Sequence, residues 1–352
     1  MSTALYKSEG TVVNEGSPQL HEGKLQPLTI GSLTLDPPVV MAPMAGFSDR
    51  IFRDMVRGFG GCPLLFTEMV SAEGLLRGGR GSLELLPHPD EFGNTGVQLF
   101  GFKPERVAEA AAWVEDRGVK LVDINMGCPA RKVVVDGSGA ALLKDPDRAV
   151  ALVAAVRKKL TIPFTVKLRL GWGRGEVTVH ELAPRLVDAG ADAVTLHARC
   201  RNEGFSGEAK WEHIQRLKEA LPVPLLGNGD ARTAGDVFRM AGETGCDGVM
   251  VGRAGLAGPW LFSQVAALNR GEAAAEPDKE VRRTLILEHF RRLMADEAAA
   301  PHRAVHRIRG FVAWYSRGLN GGAMLRRAVN QAPDAEEFVE IVNTFFDQGH
   351  VS

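Results

Sequence analysis

Eight short apolar runs punctuate the chain, at residues 39–46, 64–70, 96–101, 121–129, 164–172, 193–199, 225–230 and 248–254. Each is close to continuously apolar and ends in polar residues, the pattern of parallel strands buried on both faces. Segments with helical periodicity lie between most of them, at 104–116, 146–159, 179–189, 211–220 and 233–244. Strand–helix alternation repeated eight times predicts an α/β fold of the (β/α)8 TIM-barrel type. An open doubly wound sheet competes less well, because no Gly-x-Gly-x-x-Gly follows the first strand and polar residues gather after every strand. Beyond residue 277 the strand pattern stops. Helices are predicted over 280–298, 301–318 and 334–347, separated by Ala-Pro and Gly-Gly breaks. The expected organisation is a loose tail over 1–24, a barrel over 25–276 and a small all-helical domain over 277–352.

Composition changes this picture little. Of the 352 residues, 45% are hydrophobic and 24% charged, which excludes wholesale disorder. The formal charge of −1 excludes a histone-like coat protein but leaves room for a local basic patch. One candidate is the stretch 301–330, which carries Arg303, Arg307, Arg309, Arg317, Arg326 and Arg327 and no Asp or Glu. The four cysteines form no Cys-x-x-Cys pair, so neither a zinc site nor a disulfide framework is expected. With no leader pattern and no apolar run of about twenty residues, the expectation is a cytoplasmic protein without a membrane span or a metal.

The chemistry is expected at the C-terminal ends of the strands, where a barrel of this kind carries its active site. The residues there are Pro43, Met44 and Ala45 after the first strand, Gln98 on the third, and Asn125 and Cys128 at the end of the fourth. Lys167 lies on the fifth strand, His197 and Arg199 end the sixth, Asn228, Gly229 and Asp230 end the seventh, and Gly252 and Arg253 end the eighth. The two glycine-bearing turns after strands seven and eight suit a phosphate, with Arg253 adding a charge. Lys167 interrupts an apolar strand, so it must face a ligand or pair with an acid such as Glu68 or Asp123. Cys128 sits on a Gly-Cys-Pro turn. An unperturbed thiol, with a pKa of about 8.5, is protonated at neutral pH and can donate a proton. Cys62, Cys200 and Cys246 read as small buried hydrophobes. His197 is either a ligand or a satisfied core histidine.

The ordered set Val40–Gly46, Gln98–Gly101, Asp123–Pro129, Lys167–Arg169, His197–Arg199, Gly227–Asp230 and Val251–Arg253 resembles the tRNA-dihydrouridine synthase family, and the segments 131–143 and 314–327 are most similar to its bacterial B-type subgroup. The resemblance covers about Leu25 to Phe346. It implies an FMN enzyme, recharged by NADPH, that reduces the C5–C6 double bond of uridines in tRNA, with Cys128 as proton donor to C5. It places FMN contacts on Pro43, Met44, Ala45, Gln98, Lys167, His197, Asn228, Gly229, Asp230, Gly252 and Arg253. Substrate contacts would fall on Asn125, Lys132, Arg199, Arg326 and Arg327, with the arginine-rich helices holding tRNA phosphates. The chain departs from the family's usual pattern at Cys200, Phe205 and Phe311. A flavin barrel acting on a free pyrimidine, of the dihydroorotate dehydrogenase type, is the alternative; it would have no use for the arginine-rich helical tail.

Overall fold

The computed structural model describes residues 23–348. The expected tail over 1–24 therefore lies, except for its last two residues, outside the described residues. These residues form two compact units, one of residues 23–50 and 61–252, the other of 51–60 and 253–348.

The first unit is the barrel. It opens with an antiparallel hairpin, β1 (Leu28–Ile30) and β2 (Leu33–Leu35), whose strands are too short to show a period in the sequence. The barrel strands are β3 (Val39–Met41), β4 (Leu65–Phe66), β6 (Thr95–Phe100), β7 (Val122–Met126), β8 (Phe164–Arg169), β9 (Ala193–His197), β10 (Leu225–Asn228) and β11 (Gly248–Val251). Their order is β3-β11-β10-β9-β8-β7-β6-β4, and every pairing is parallel. A parallel bridge between Val40 and Leu64, with Met41 N donating to Leu64 O at 3.2 Å, joins the two ends. Closure removes the sheet edges. The predicted run 64–70 is split: β4 pairs with β6, Phe66 opposite Gly96, and the chain pairs with β6 again, one residue out of step, as β5 (Val70–Ser71), Val70 opposite Leu99.

The hairpin explains how this barrel is stoppered. Leu28, Ile30 and Leu35 pack with Val40, Leu64, Phe66, Leu121, Ala193, Leu226 and Met250, near the N-terminal ends of the strands. Burying each such side chain contributes roughly 1.5–3 kcal/mol. Local chemistry fixes the helices between strands. In helix Pro146–Arg157, the Asp145 carboxylate caps Arg148 N and proline fills the first position. Helix Ala234–Thr244 starts on a reciprocal Thr233–Asp236 capping box and stops at Gly245, whose φ of +67° is the left-handed helix cap.

The second unit is all-helical. Helices Lys279–Asp296, Pro301–Tyr315, Gly322–Gln331 and Ala335–Asp347 surround a core that includes Phe290, Phe311, Tyr315, Phe338 and Phe346. Helix Gly322–Gln331, for which the sequence pattern gave no expectation, adds Leu325 and Val329. Residues 51–59 of helix Arg50–Phe59 belong to this unit, and the Phe52 ring stacks on Phe311 with centroids 5.7 Å apart.

Candidate active site

Strand alternation sends Asp123 and Asn125 of β7 to the same side. Register then sets their neighbours: Gln98 on β6 and Thr165 on β8 stand opposite Asp123, and Lys167 on β8 stands opposite Asn125. These side chains form one connected polar network. Thr165 Oγ1 donates to Asp123 Oδ1 at 2.6 Å and Gln98 Nε2 to Asp123 Oδ2 at 2.7 Å. Asn125 Nδ2 donates to Gln98 Oε1 at 2.8 Å, and Asn125 Oδ1 accepts from Cys128 N at 2.8 Å and Gly127 N at 3.1 Å. Cys128 is half-buried on the loop that this asparagine anchors.

Lys167 is half-buried and does not pair with Asp123. Its Nζ donates to Asn228 Oδ1 at 3.1 Å, and Asn228 Nδ2 in turn donates to Met250 O at 2.6 Å. One hydrogen-bonding partner leaves the ammonium with further donors to offer. Burial pulls its pKa down to about 8, with Arg169 adding to the effect, while Asp123 and Cys128 oppose it. Burial pushes Asp123 up to about 6, against the donors Thr165 and Gln98 and the charge of Lys167.

The loops after β9 and β10 are tied by Arg199. Its guanidinium contacts Asp230 Oδ2 at 2.5 Å, Gly207 O at 2.6 Å and Ser206 O at 3.2 Å, and lies 3.4 Å from His197 Nε2. The side chain is only 1% exposed. Arg199, expected among the substrate contacts, thus has its guanidinium engaged inside the protein. Asp230 likewise points inward, accepting from Arg199 and Ala209 N. Its backbone, at φ +59°, is the single left-handed non-glycine position among the described residues. Gly229, at φ +121°, has no room for a side chain: a Cβ there would lie 2.8 Å from Ala209 Cβ and 3.2 Å from His197.

Other expected residues fall at the same strand ends. Pro43, Met44 and Ala45 follow β3, with Met44 N bonded to Ser48 Oγ at 2.9 Å. His197 is buried at the end of β9. A Cβ on Gly252 would meet Met44 Sδ only at 3.6 Å, so that turn is open. Arg253 begins helix Arg253–Ala257 in the second unit. Lys132 is exposed on the short helix Arg131–Val134, just after Cys128. Sequence reasoning passed over Arg169 as a site residue. It donates to Gly127 O, Cys200 O and Gly204 O, bracing the Cys128 loop against the loop after β9. The exposed Phe205 ring lies 6.2 Å from the His197 ring.

The arginine-rich stretch of the second unit is less uniformly available than its sequence suggested. Arg307 pairs with Asp296 and Glu297, both at 2.9 Å, and Arg303 with Glu297 at 3.5 Å. Arg309 caps Val329 O and Ala332 O. Arg326, half-buried, donates to Ser316 Oγ at 2.9 Å, Arg317 lies over the Trp314 ring, and Arg327 is exposed. A cavity of about 610 Å³ in this unit is rimmed by Asp334, Glu336, Glu337 and Glu340, the wrong charge for a phosphate backbone. Among the described residues no cluster of His, Cys, Asp and Glu is arranged to hold a metal, and no helix is long and apolar enough to cross a membrane.

A closed parallel barrel with its polar residues at the strand ends defines the class, a TIM-barrel protein with a strand-end site. Residues 40–349 match the family model described as dihydrouridine synthase. The chain is 37% identical to a probable tRNA-dihydrouridine synthase 1 of Synechocystis sp., over 90% of this chain and 89% of that one. It is 36% identical to a probable tRNA-dihydrouridine synthase of Rickettsia bellii, over 87% and 94%. It is 33% identical to tRNA-dihydrouridine synthase B of Pasteurella multocida, over 91% and 96%. Among solved structures, a 2-naphthoyl-CoA reductase complex shares the fold at a TM-score of 0.52 and 14% identity, covering 71% of this chain and 53% of that one. Histamine dehydrogenase from Rhizobium sp. 4-9 does so at 0.52 and 16%, covering 75% and 50%. The chain belongs to the dihydrouridine synthase family and is a flavin-dependent oxidoreductase of that family.

Proposed function

We propose that this protein is a tRNA-dihydrouridine synthase that carries FMN, takes electrons from NADPH and reduces the C5–C6 double bond of uridines in tRNA. The observation that carries the reading is the meeting of Cys128, Asn125 and Lys167 at the ends of adjacent strands β7 and β8. The donor set fits a flavin: an amide at Gln98, a cation at Lys167, the imidazole of His197 and the Asn228–Gly229 turn with its excluded side chain. Pro43, Met44, Ala45 and Gly252 line the same ends, and Asp230 supports the turn through Arg199.

The flavin, once bound, supplies the hydride that uracil receives at C6. The protein's own groups do the rest. The Cys128 thiol delivers the proton to C5. Lys167 and the amide of Asn125 put positive charge and a donor where negative charge develops on the uracil and beside the flavin ring. A uridine in a tRNA loop is extruded into the mouth, which costs least where the base is unpaired. Lys132 beside the mouth and Arg326 and Arg327 on the second unit supply cations for the RNA backbone.

Two measurements test this. The purified protein, reconstituted with FMN, should be reduced by NADPH in preference to NADH and re-oxidised by unmodified tRNA. In tRNA from a strain lacking the protein, particular dihydrouridines are missing. A protein that takes up no FMN, or a strain with its full set of dihydrouridines, overturns the reading. Re-oxidation by orotate but not by tRNA would instead identify a free-pyrimidine enzyme.

A further inference from the structure

Asp123, like the Thr165 bonded to it, has no direct task in the proposed chemistry, and it is the costliest member of the polar network to keep. It is 0% exposed, in an interior layer where an apolar residue would contribute more stability than a hydrogen-bonded carboxylate. Its value lies in direction. A carboxylate only accepts, whereas an amide has a donor end and an acceptor end of similar shape.

With Thr165 on Oδ1 and Gln98 Nε2 on Oδ2, Asp123 holds the donor end of Gln98 toward itself. The acceptor end, Oε1, must then face Asn125, which meets it with Nδ2. Asn125 is thereby turned so that Oδ1 faces the loop and accepts from both Gly127 N and Cys128 N. If the Asn125 amide turned over, its NH2 would face two N–H donors and both loop bonds would be lost. Each lost bond would leave a backbone N–H without its acceptor, which is costly where the donor is shielded from water. Gln98 is 1% and Asn125 8% exposed, so little water is at hand to compensate.

We infer that Asp123 is a positioning residue whose carboxylate sets the direction of the Gln98–Asn125 relay and so fixes the loop that carries Cys128. The inference rests on the proposed function for its consequence in catalysis, but the relay itself is a property of the folded chain.

The test uses the whole protein with its flavin bound, and three substitutions. Asp123→Leu removes the acceptor. Asp123→Ser is too short for one side chain to meet both Thr165 and Gln98, and serves if the leucine variant does not fold. Asp123→Asn still offers Oδ1 to Gln98 while its NH2 meets the Thr165 hydroxyl. Two readouts are taken: alkylation of Cys128 by iodoacetamide without turnover, followed by peptide mass, and the separate rates of flavin reduction by NADPH and re-oxidation by tRNA.

For the leucine or serine variant, alkylation of Cys128 is expected to change at least about threefold and re-oxidation to fall at least about tenfold, since small misplacements of a reacting group are costly. Both flavin rates are expressed per bound flavin, since Asp123 also holds Gln98, a proposed flavin contact. The asparagine variant should recover most of both. Cys128 alkylation within twofold of wild type in a folded leucine or serine variant overturns the inference, as does an asparagine variant as damaged as leucine. A wild-type protein whose flavin is not re-oxidised by tRNA would instead count against the proposed function, and the alkylation arm would still decide the relay.

Discussion

Lys167 Nζ lies 3.1 Å from Asn228 Oδ1, linking β8 to β10 past the intervening strand β9. That contact holds a cation in the barrel mouth without neutralising it, because an amide oxygen carries no net charge. Burial already lowers the lysine's pKa from 10.5 to about 8. The tRNA-dependent step should therefore weaken as pH rises through about 8 and the cation is lost. Lys167→Met should cost about 10²-fold in that step and abolish the alkaline limb of the rate profile. Folding stability should move the other way. Between pH 8 and 10.5 the unfolded lysine holds a proton that the folded one has released, so stability rises with pH across that window. Denaturant titrations of wild type and Lys167→Met across the window check the sign.

Cys128 is held through its backbone N–H by Asn125, and its loop through Gly127 O by Arg169. Neither bond involves the thiol. Cys128→Ala should therefore keep the loop, the flavin and the melting temperature, while dihydrouridine formation falls about 10²–10⁴-fold, the range for loss of a positioned general acid. Nucleoside analysis of tRNA after incubation with the variant gives the rate. Undiminished formation would remove the thiol from its assigned role.

How much of this was legible follows from which forces leave a local mark. The barrel strands were, because burial on both faces makes each one an apolar run. Lys167 and Asn125 stood out because polar residues inside such runs need partners. The β1–β2 hairpin was not legible, since three-residue strands carry no period. Helix Arg50–Phe59 was missed although Ile51, Phe52, Met55 and Val56 form an apolar face, because four charged residues interleave with it. Arg199 looked like a surface cation because its partner Asp230 is 31 residues away in the chain. The acid-free stretch 301–330 holds fewer unpaired cations than its composition implies for a similar reason: Asp296 and Glu297, which pair with Arg307 and Arg303, lie just before it.

Gly229 tests the turn after β10 by sterics alone. Its φ of +121° disfavours any side chain, and a Cβ would press on Ala209 and on the His197 ring. Gly229→Ala should cost roughly 1–3 kcal/mol of stability for the strained backbone. It should also displace His197 and reduce flavin content at purification. Gly204→Ala provides a control, since that glycine also has positive φ but no atom within 4 Å of its would-be Cβ. It should share the backbone cost and keep the flavin.

His289 sets the acid limit of the helical unit. Its ring lies against Phe311, with centroids 4.1 Å apart. Nδ1 bonds to the Tyr315 hydroxyl at 2.9 Å, and Nε2 has no hydrogen-bond partner among the described residues. Burial drives its pKa down to about 3, with Arg307 and Arg292 adding to the effect. As pH falls from about 6.5 to 3 the unfolded chain takes up a proton that the folded one refuses, so stability declines across that range. His289→Phe should flatten this decline. At neutral pH it should cost about 1 kcal/mol for the lost hydrogen bond between His289 and Tyr315. Thermal melts at pH 7 and pH 4.5 separate the two effects.

Arg309 and Arg327 belong to one arginine-rich stretch but predict opposite phenotypes. Arg309 spends its guanidinium on Val329 O and Ala332 O at the end of helix Gly322–Gln331. Removing it leaves those carbonyls without their cationic cap, so Arg309→Ala should lower the melting temperature, the equivalent of about 1–2 kcal/mol for charge-assisted bonds. Its effect on tRNA affinity, measured below the melt, should be small. Arg327 is exposed on the same helix. Arg327→Ala should leave the melting temperature unchanged and weaken tRNA binding most at low salt. The slope of log affinity against log salt should shrink by about 0.7–0.9 for a lost phosphate contact. An unchanged slope would place the RNA on another surface, and a tRNA defect confined to Arg309→Ala would mean that the helix end, rather than the exposed cation, meets the substrate.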